Sequence, residues 1–365
     1  MQLVRVNLND LQEGCILAED IFSLTNRPII KKKTVLTAEL LEVMKAFFID
    51  DAAVEKTLSD GMPFYPYGMG ADEEKDSSPS SQVNTSLKGA DLFLRSVQDF
   101  KKEFTAWQSG MQIDISKIRS ILIPLIEATE TNPAELFSLY HFSTKADYLY
   151  QHPIAVGLLS AFIGKKLNYS KGDIVQIALA GCLADCGMAK ISPAIINKKT
   201  SLTQSEFNEI KNHCAYSYKM IQNLPLLRES TKVAVFQHHE RLDGSGYPFG
   251  ESDKIHPIAK IIAVADTFHA MTSERQYRLK RSPFKVLEMM MQDDFGKYDL
   301  QAIQALGAGL ITFSIGSRVI LSDGRRAEIL FIEEQHPTRP MIKIIATDEI
   351  LRLESSRHLY IEEVL

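Results

Sequence analysis

Eleven consecutive residues, His238-His239-Glu240-Arg241-Leu242-Asp243-Gly244-Ser245-Gly246-Tyr247-Pro248, constrain this chain more than any other stretch. Two adjacent imidazoles and two acids ahead of a Gly-x-Gly-Tyr-Pro turn point to a metal site, because a solvated polar turn has no use for paired histidines. Neighbouring side chains on a helix diverge by about 100°, so His238 and His239 can serve one cluster most easily at a helix end. Gly244, Gly246 and Pro248 predict that end. The glycines allow backbone angles and close approaches that a Cβ would block, and proline stops the helix from resuming.

The histidines are distributed in the same sense. Seven of the nine, His141, His152, His213, His238, His239, His256 and His269, fall between residues 141 and 269, and the first 140 residues contain none. One segment therefore carries the chemistry. A chain of 365 residues with 45% hydrophobic content is long enough for two or three domains. A net charge of −5 and a pI near 6.0 give no electrostatic footprint for wrapping nucleic acid. Asn and Asp interrupt the N-terminal apolar residues too early for a signal peptide, and no stretch supplies about eighteen uninterrupted apolar residues. The expectation is a cytoplasmic globular protein without a membrane span. Cys15, Cys182, Cys186 and Cys214 are too few and too irregular for a secreted disulfide framework. Cys182 and Cys186 share a helix face at i, i+4, which makes buried packing their default reading and metal binding the minority one.

The pattern along the chain is mainly α. Residues 1–57 alternate short apolar runs (Leu3 to Val6, Ile16 to Ala18, Ile29 and Ile30) with turns, then predict a helix after an N-cap at Thr37, with Leu40, Leu41, Met44 and Phe47 on one face. This is a small α+β module. Residues 58–89 are rich in Gly, Pro, Ser, Asp and Asn and read as a flexible, disordered linker. Helical periodicity begins at residue 90: a lead-in over 90–134, in which Pro124 threatens a kink, precedes a helical domain over 135–310. Thr203-Gln-Ser-Glu206 is a capping box that predicts one helix through His213 to about Asn223. Glu229 to His239 form the next, and residues 258–273 are apolar nearly all round, as in a buried central helix. Asp266 in its middle needs a partner. Residues 311–365 alternate like strands in SRVILSD, AEILFIEE, MIKIIATD and HLYIEEV, predicting three or four strands packed on the helices.

His152, Asp185, His213, His238, His239 and Asp266 lie on successive predicted helices. Four histidines and two carboxylates exceed the needs of one structural zinc, and nitrogen and oxygen donors without obligatory thiolate suit iron, manganese or zinc in a two-metal hydrolytic centre. With these residues in place, the segment from about 135 to 310 resembles the HD-GYP family of cyclic di-GMP phosphodiesterases, an offshoot of the HD phosphohydrolases with a helical-bundle core. His238-His239-Glu240, Asp243-Gly244, Gly246, Tyr247 and Pro248 fit its long signature, and His152, Asp185, Gly187, Lys190, His213, Asp266 and the Arg275, Tyr277, Arg278 run follow in the family's order.

The resemblance implies two divalent ions, one on His152, Asp185 and Asp266 and the other on Asp185, His213, His238 and His239. Tyr148 stands where a ligand to a third ion would be, so two is the upper number. One departure is plain: the name-giving His-Asp pair is Ala184-Asp185 here, so the first site lacks an imidazole, and His269, at i+3 from Asp266, either points toward that region or packs. The resemblance also implies cyclic di-GMP as substrate, hydrolysed to pGpG, with pGpG and GMP both open as the final product, and with Asp185 and Lys190 catalytic. Lys190, Arg275 and Arg278 would contact phosphate, surface salt bridging being the competing reading for the arginines, and Tyr247 would shape the pocket. Glu240 and Asp243 would orient the histidines or fold the loop. GGDEF-domain proteins and a second copy of the chain are the partners such a domain suggests. The competing reading is a catalytically impaired cyclic di-GMP sensor or interaction module, favoured by Ala184. A general HD phosphohydrolase of another nucleotide has no need of the Gly-Tyr-Pro loop.

Overall fold

The computed structural model describes residues 3–8, 11–22, 28–46, 49, 51–55, 57–59, 83–131, 136–137, 139–198, 200–274, 280–292, 295–311, 315–333 and 336–365. Phe47, the centre of the expected linker (residues 60–82) and Arg275, Tyr277 and Arg278 lie outside the described residues. The chain divides into two compact units, Met1–Pro79 and Ser80–Leu365.

In the first unit, β1 (Leu3–Asn7) pairs antiparallel with β4 (Asp51–Glu55), and β2 (Ile21–Phe22) with β3 (Pro28–Ile30). Helix α1 (Ala38–Ala46) begins where Thr37 accepts the Leu40 N–H at 3.4 Å. This satisfies one of the donors that a helix start leaves without a carbonyl. Val6, Leu17, Leu36, Met44 and Val54 form a core of this unit's own. The expected α+β character is observed.

The second unit opens with α2 (Val83–Gln108), which starts seven residues before the predicted onset, so the Ser- and Asn-rich end of the expected linker is helical. Val97, Phe100, Phe104 and Trp107 recur at helical spacing and are buried as one stripe, Phe100 meeting Trp107 edge-on at 5.5 Å. Helix α3 (Ile115–Thr131) continues through Pro124. Next come α4 (Tyr148–Lys166) and α5 (Lys171–Leu183), both apolar on nearly every side and buried along most of their length. The stretch Lys171–Lys190 is apolar enough to cross a membrane by length and composition alone, and 72% of its apolar window is buried inside this unit. After the short α6 (Pro193–Ile196), α7 (Gln204–Lys211) starts at the capping box predicted for Thr203 and Glu206.

The single helix expected from there to Asn223 is in fact two, α7 and α8 (His213–Ile221), separated at Asn212. Asn212 turns its N–H to Glu209 and Ile210, and the His213 ring takes the Ile210 carbonyl, which a continuous helix would offer to the Cys214 N–H. Helix α9 (Glu229–Gln237) ends at His238, and α10 (Pro257–Thr272) runs buried through the centre. Then follow α11 (Pro283–Gln292) and α12 (Leu300–Leu310).

The C-terminal residues form an antiparallel sheet of five strands rather than three or four: β5 (Arg318–Leu321), β6 (Arg326–Phe331), β7 (Met341–Ile344), β8 (Ile350–Arg352) and β9 (Ile361–Val364), in the order β8-β7-β6-β5-β9. Val319, Leu321, Ala327, Ile329, Ile342 and Ile344 alternate inward and share one core with the helices. Arg339 fastens the sheet to α11, donating to Glu288 at 2.7 Å and to the Leu353 carbonyl at 2.8 Å. A buried guanidinium held this way stays paired, because an unpaired charge there would be costly.

Candidate metal centre

Asp185 occupies the turn between α5 and a 3-10 segment, Cys186–Lys190. Gly187 lets that turn lie against α8: a Cβ at this position would stand 2.2 Å from the His213 carbonyl oxygen and 2.5 Å from the Ser217 nitrogen. The contact is closed by hydrogen bonds from the Gly187 N–H to Ser217 Oγ at 2.7 Å and from that hydroxyl to the Ala184 carbonyl at 2.7 Å. Asp185 is thereby delivered to the histidines.

The two carboxylate oxygens of Asp185 face different partners. Oδ1 lies 3.1 Å from His213 Nε2 and 3.5 Å from His238 Nε2, whereas Oδ2 lies 3.6 Å from His152 Nε2. Asp266 straddles the cluster in the same way, Oδ1 at 2.9 Å from His152 Nε2 and Oδ2 at 3.7 Å from His239 Nδ1. The partner that a buried acid on α10 requires is therefore His152. His213 and His238 are aimed by backbone: each brings Nδ1 to a carbonyl one turn back, Ile210 at 2.6 Å and Val235 at 2.7 Å. A carbonyl only accepts, so both rings carry a proton on Nδ1 and turn Nε2 to Asp185.

Burial pushes the Asp185 carboxyl up, but hydrogen bonds from His213 and His238 and the charge of His213 and His152 outweigh it and hold the group well below the carboxylate range. Asp266 is likewise raised by burial and lowered further by His152 and His239, ending below its ordinary value. Burial opposes charge on His213, yet its bond to Asp185 raises the imidazole well above 6.5. Burial and the neighbouring His238 charge push His239 the other way. The surroundings thus favour charge on both carboxylates and on His213 and oppose it on His239.

Donor atoms of Asp185, His213, His238 and His239 all lie within 4.8 Å of one another. Metal bonds to nitrogen and oxygen are about 2.0–2.2 Å, so donors to one ion sit at most about 4.4 Å apart. Small side-chain adjustments suffice, and the set fits a divalent ion. The first set, His152, Asp185 and Asp266, offers three donors, and the buried Ala184 contributes only a methyl. His269 does not fill that gap. Its Nδ1 lies 2.9 Å from His152 Nδ1, on the side of the ring opposite Asp266.

The loop after α9 is folded by its acids. Buried Glu240 accepts the Phe249 N–H at 2.8 Å and the Glu251 N–H at 2.9 Å, and Asp243 accepts the Ser245 N–H at 3.0 Å. Of the two roles expected for these acids, the structure shows the loop-folding one. Gly246 allows the loop to double back: a Cβ would stand 2.5 Å from the Glu240 Cα and the His239 carbonyl. Tyr247 then covers His239, ring centres 4.6 Å apart, ahead of a cis bond to Pro248.

Three basic residues have defined partners around the cluster. Lys190 donates to the Trp107 carbonyl at 2.8 Å, at the end of α2. Lys211, on the last turn of α7, sits over Tyr247 at 5.2 Å and Phe207 at 4.9 Å, forming a column from the surface to His239. Its only sequence signal was position, two residues before His213. Arg241, also unassigned from sequence, donates to the His238 and Glu240 carbonyls and stacks on Tyr298 at 4.9 Å. Cys182 and Cys186 are buried free thiols, as packing predicts, and burial raises the Cys186 thiol to about 12.

Residues 137–301 match the family model described as HD domain. A cyclic di-GMP phosphodiesterase of Pseudomonas aeruginosa is 28% identical over 228 residues, 62% of this chain and 54% of that protein. One from Thermotoga maritima is 37% identical over 132 residues, 35% of this chain and 36% of that protein. A 3'3'-cGAMP-specific phosphodiesterase of Vibrio cholerae is 31% identical over 167 residues, 46% of this chain and 36% of that protein. The chain thus spans about a third to a half of the length of these relatives. Among solved structures, an HDG"Y"P protein of Bdellovibrio bacteriovorus shares the fold, with a TM-score of 0.52 at 15% identity over 85% of this chain and 99% of that one. Residues 137–301 are thus similar to an HD domain, and Ala184-Asp185 stands where the resemblance calls for the His-Asp pair.

Proposed function

We propose that the segment 135–310 hydrolyses the phosphodiester of a cyclic dinucleotide, with cyclic di-GMP the first substrate to test and pGpG the first product, GMP following if the linear product is cut again. The observation that carries this reading is the division of Asp185 between two donor sets, Oδ1 toward His213 and His238 and Oδ2 toward His152. Divalent ions bound there, iron, manganese or zinc, would supply charge neutralisation for the phosphodiester and acidify a water.

The chain's own residues do the rest. Asp185 and Asp266 hold negative charge without protons to lose, and the Ile210 and Val235 carbonyls keep two imidazoles turned inward. Tyr247 walls the cluster beside His239, and Lys211 presents a cation at its mouth for the anionic ring. Lys190, Arg275 and Arg278 complete the proposed phosphate contacts, Lys190 by leaving the Trp107 carbonyl. Water adds to phosphorus, the bond from phosphorus to the ribose 3'-oxygen breaks, and that oxygen leaves as a hydroxyl. The two names among the relatives, cyclic di-GMP and 3'3'-cGAMP, share this bond.

Ala184 supports a second reading, a sensor that binds the nucleotide without turning it over. Purified protein loaded with manganese or iron is to be incubated with cyclic di-GMP and with 3'3'-cGAMP, beside Asp185→Ala and Ala184→His. Metal-dependent turnover lost in Asp185→Ala establishes the enzyme. Binding without turnover, with hydrolysis appearing only in Ala184→His, establishes the sensor.

A further inference from the structure

We infer that Tyr148 and His269 are positioning residues for His152 and hold the weaker cation site together in place of the imidazole missing at Ala184; this rests on the two-ion reading. His152 Nδ1 is 2.9 Å from His269 Nδ1 and 3.0 Å from the Tyr148 hydroxyl. The three rings form one packed group, Tyr148 stacked on His152 at 5.0 Å and on His269 at 6.2 Å, with interplanar angles of 23° and 29°. His152 and His269 are 4% and 3% exposed, so neither nitrogen is served by bulk water.

The chemistry of imidazole gives this contact its direction. A ring that offers its Nε2 lone pair to a cation carries its proton on Nδ1, and in a dry pocket that proton needs an acceptor. His269 Nδ1 and the Tyr148 oxygen are both placed to accept it. Two facing Nδ1 atoms at 2.9 Å share one proton between them, so His269 accepts only if its own proton is on Nε2. Ser273 Oγ lies beside this ring, 3.2 Å from Nε2 and 3.3 Å from Nδ1. The His269 ring and the Tyr148 hydroxyl thus hold His152 from its Nδ1 side and leave its Nε2 turned to Asp266 and Asp185.

Helical spacing explains why the pieces meet. Tyr148 and His152 stand one turn apart on α4, and Asp266, His269 and Ser273 follow at i, i+3 and i+7 along α10 and its end. One face of each helix therefore supplies both the ligand and its support. With only three donors in the first set, free rotation of His152 would remove a third of them, so its fixing matters more here than in a set of four.

The test counts ions. Manganese bound per chain is measured by mass spectrometry across a free-metal titration for the wild-type protein, Tyr148→Phe, His269→Phe and His269→Gln, and the unfolding midpoint of each is recorded in chelator. The expected result is two ions in wild type and a first-site affinity about 10 to 100-fold weaker in His269→Phe, with the tighter ion unchanged. His269→Gln, which keeps an acceptor oxygen, should recover part of the loss, and Tyr148→Phe, which keeps the stack, should show a smaller one. Wild-type affinity for both ions in His269→Phe and Tyr148→Phe overturns the inference alone, as does equal weakening of both ions. A wild-type protein that saturates with one ion overturns the two-ion reading and the inference with it.

Discussion

Gly187→Ala should separate Asp185 from His213 without replacing a single candidate ligand. An added Cβ would stand 2.2 Å from the His213 carbonyl oxygen, and ordinary contact begins at 3.4 Å, so the turn and α8 must part by about 1.2 Å. The obstacle is backbone and has no rotamer by which to yield. Overpacking of this kind costs about 1–3 kcal/mol, and the hydrogen bond from Gly187 to Ser217 adds about 1 kcal/mol, giving a loss of about 2–4 kcal/mol. The same displacement moves Asp185 Oδ1 from its 3.1 Å contact with His213 Nε2, and a 1 Å error at a reacting centre can cost about 100-fold. Calorimetric titration with manganese and chemical unfolding measure the two effects on one sample. Gly172→Ala, whose Cβ would meet nothing nearer than 3.5 Å, is the control. If Gly187→Ala binds metal and unfolds like the wild type, close packing of this turn is not what assembles the centre.

Three further outcomes follow from other residues. Lys211→Met keeps the stem that packs on Phe207 and Tyr247 but removes the charge, so KM for a cyclic dinucleotide should rise about 10-fold with metal content unchanged; equal KM would remove Lys211 from the substrate path. Metal uptake should weaken as pH falls. His213 is raised above 6.5 by Asp185, so this pair stabilises the metal-free fold at low pH, a contribution lost as pH rises through the raised value, and the imidazole must surrender its proton to a cation; a pH-independent affinity between 6 and 9, judged against the reference imidazole pKa of about 6.5, would contradict that. Glu206 is lowered to about 2, first by Lys198 and then by the Thr203 N–H. Its contribution is full above 4.5 and disappears as pH falls toward 2, so Glu206→Gln should flatten the acid limb of the unfolding midpoint, and an unaltered limb would refute the assignment.

Much of the centre was legible because its residues announce themselves locally. His238-His239 and the Gly-Tyr-Pro loop sit in one short segment, and Asp266 in an otherwise apolar helix asked for the partner that His152 supplies. The capping box at Thr203 and Glu206 marked a helix start for the same reason: its signal spans four residues. What escaped depends on tertiary placement. The pairing of His152 with His269 joins residues 117 apart in sequence, and the break at Asn212 follows from a ring claiming the Ile210 carbonyl, which periodicity does not register. Strand β8 was missed because its short Ile-Leu-Arg run shows little alternation and gains its state from pairing with β7. The polar start of α2 read as linker by composition, although it belongs to the same helix that buries Phe93 and Val97 further along. The bond from Lys190 to the Trp107 carbonyl joins residues 83 apart, on a helix with no sequence mark of the site.

Anomalous diffraction from manganese-soaked crystals tests the shared carboxylate most directly. Two peaks are expected on opposite sides of the Asp185 carboxyl, one within bonding distance of His213, His238 and His239 and a weaker one beside His152 and Asp266. Peaks that leave Asp185 out, or a single ion bound by one of its oxygens with His152 and Asp266 empty at saturating metal, would contradict the account.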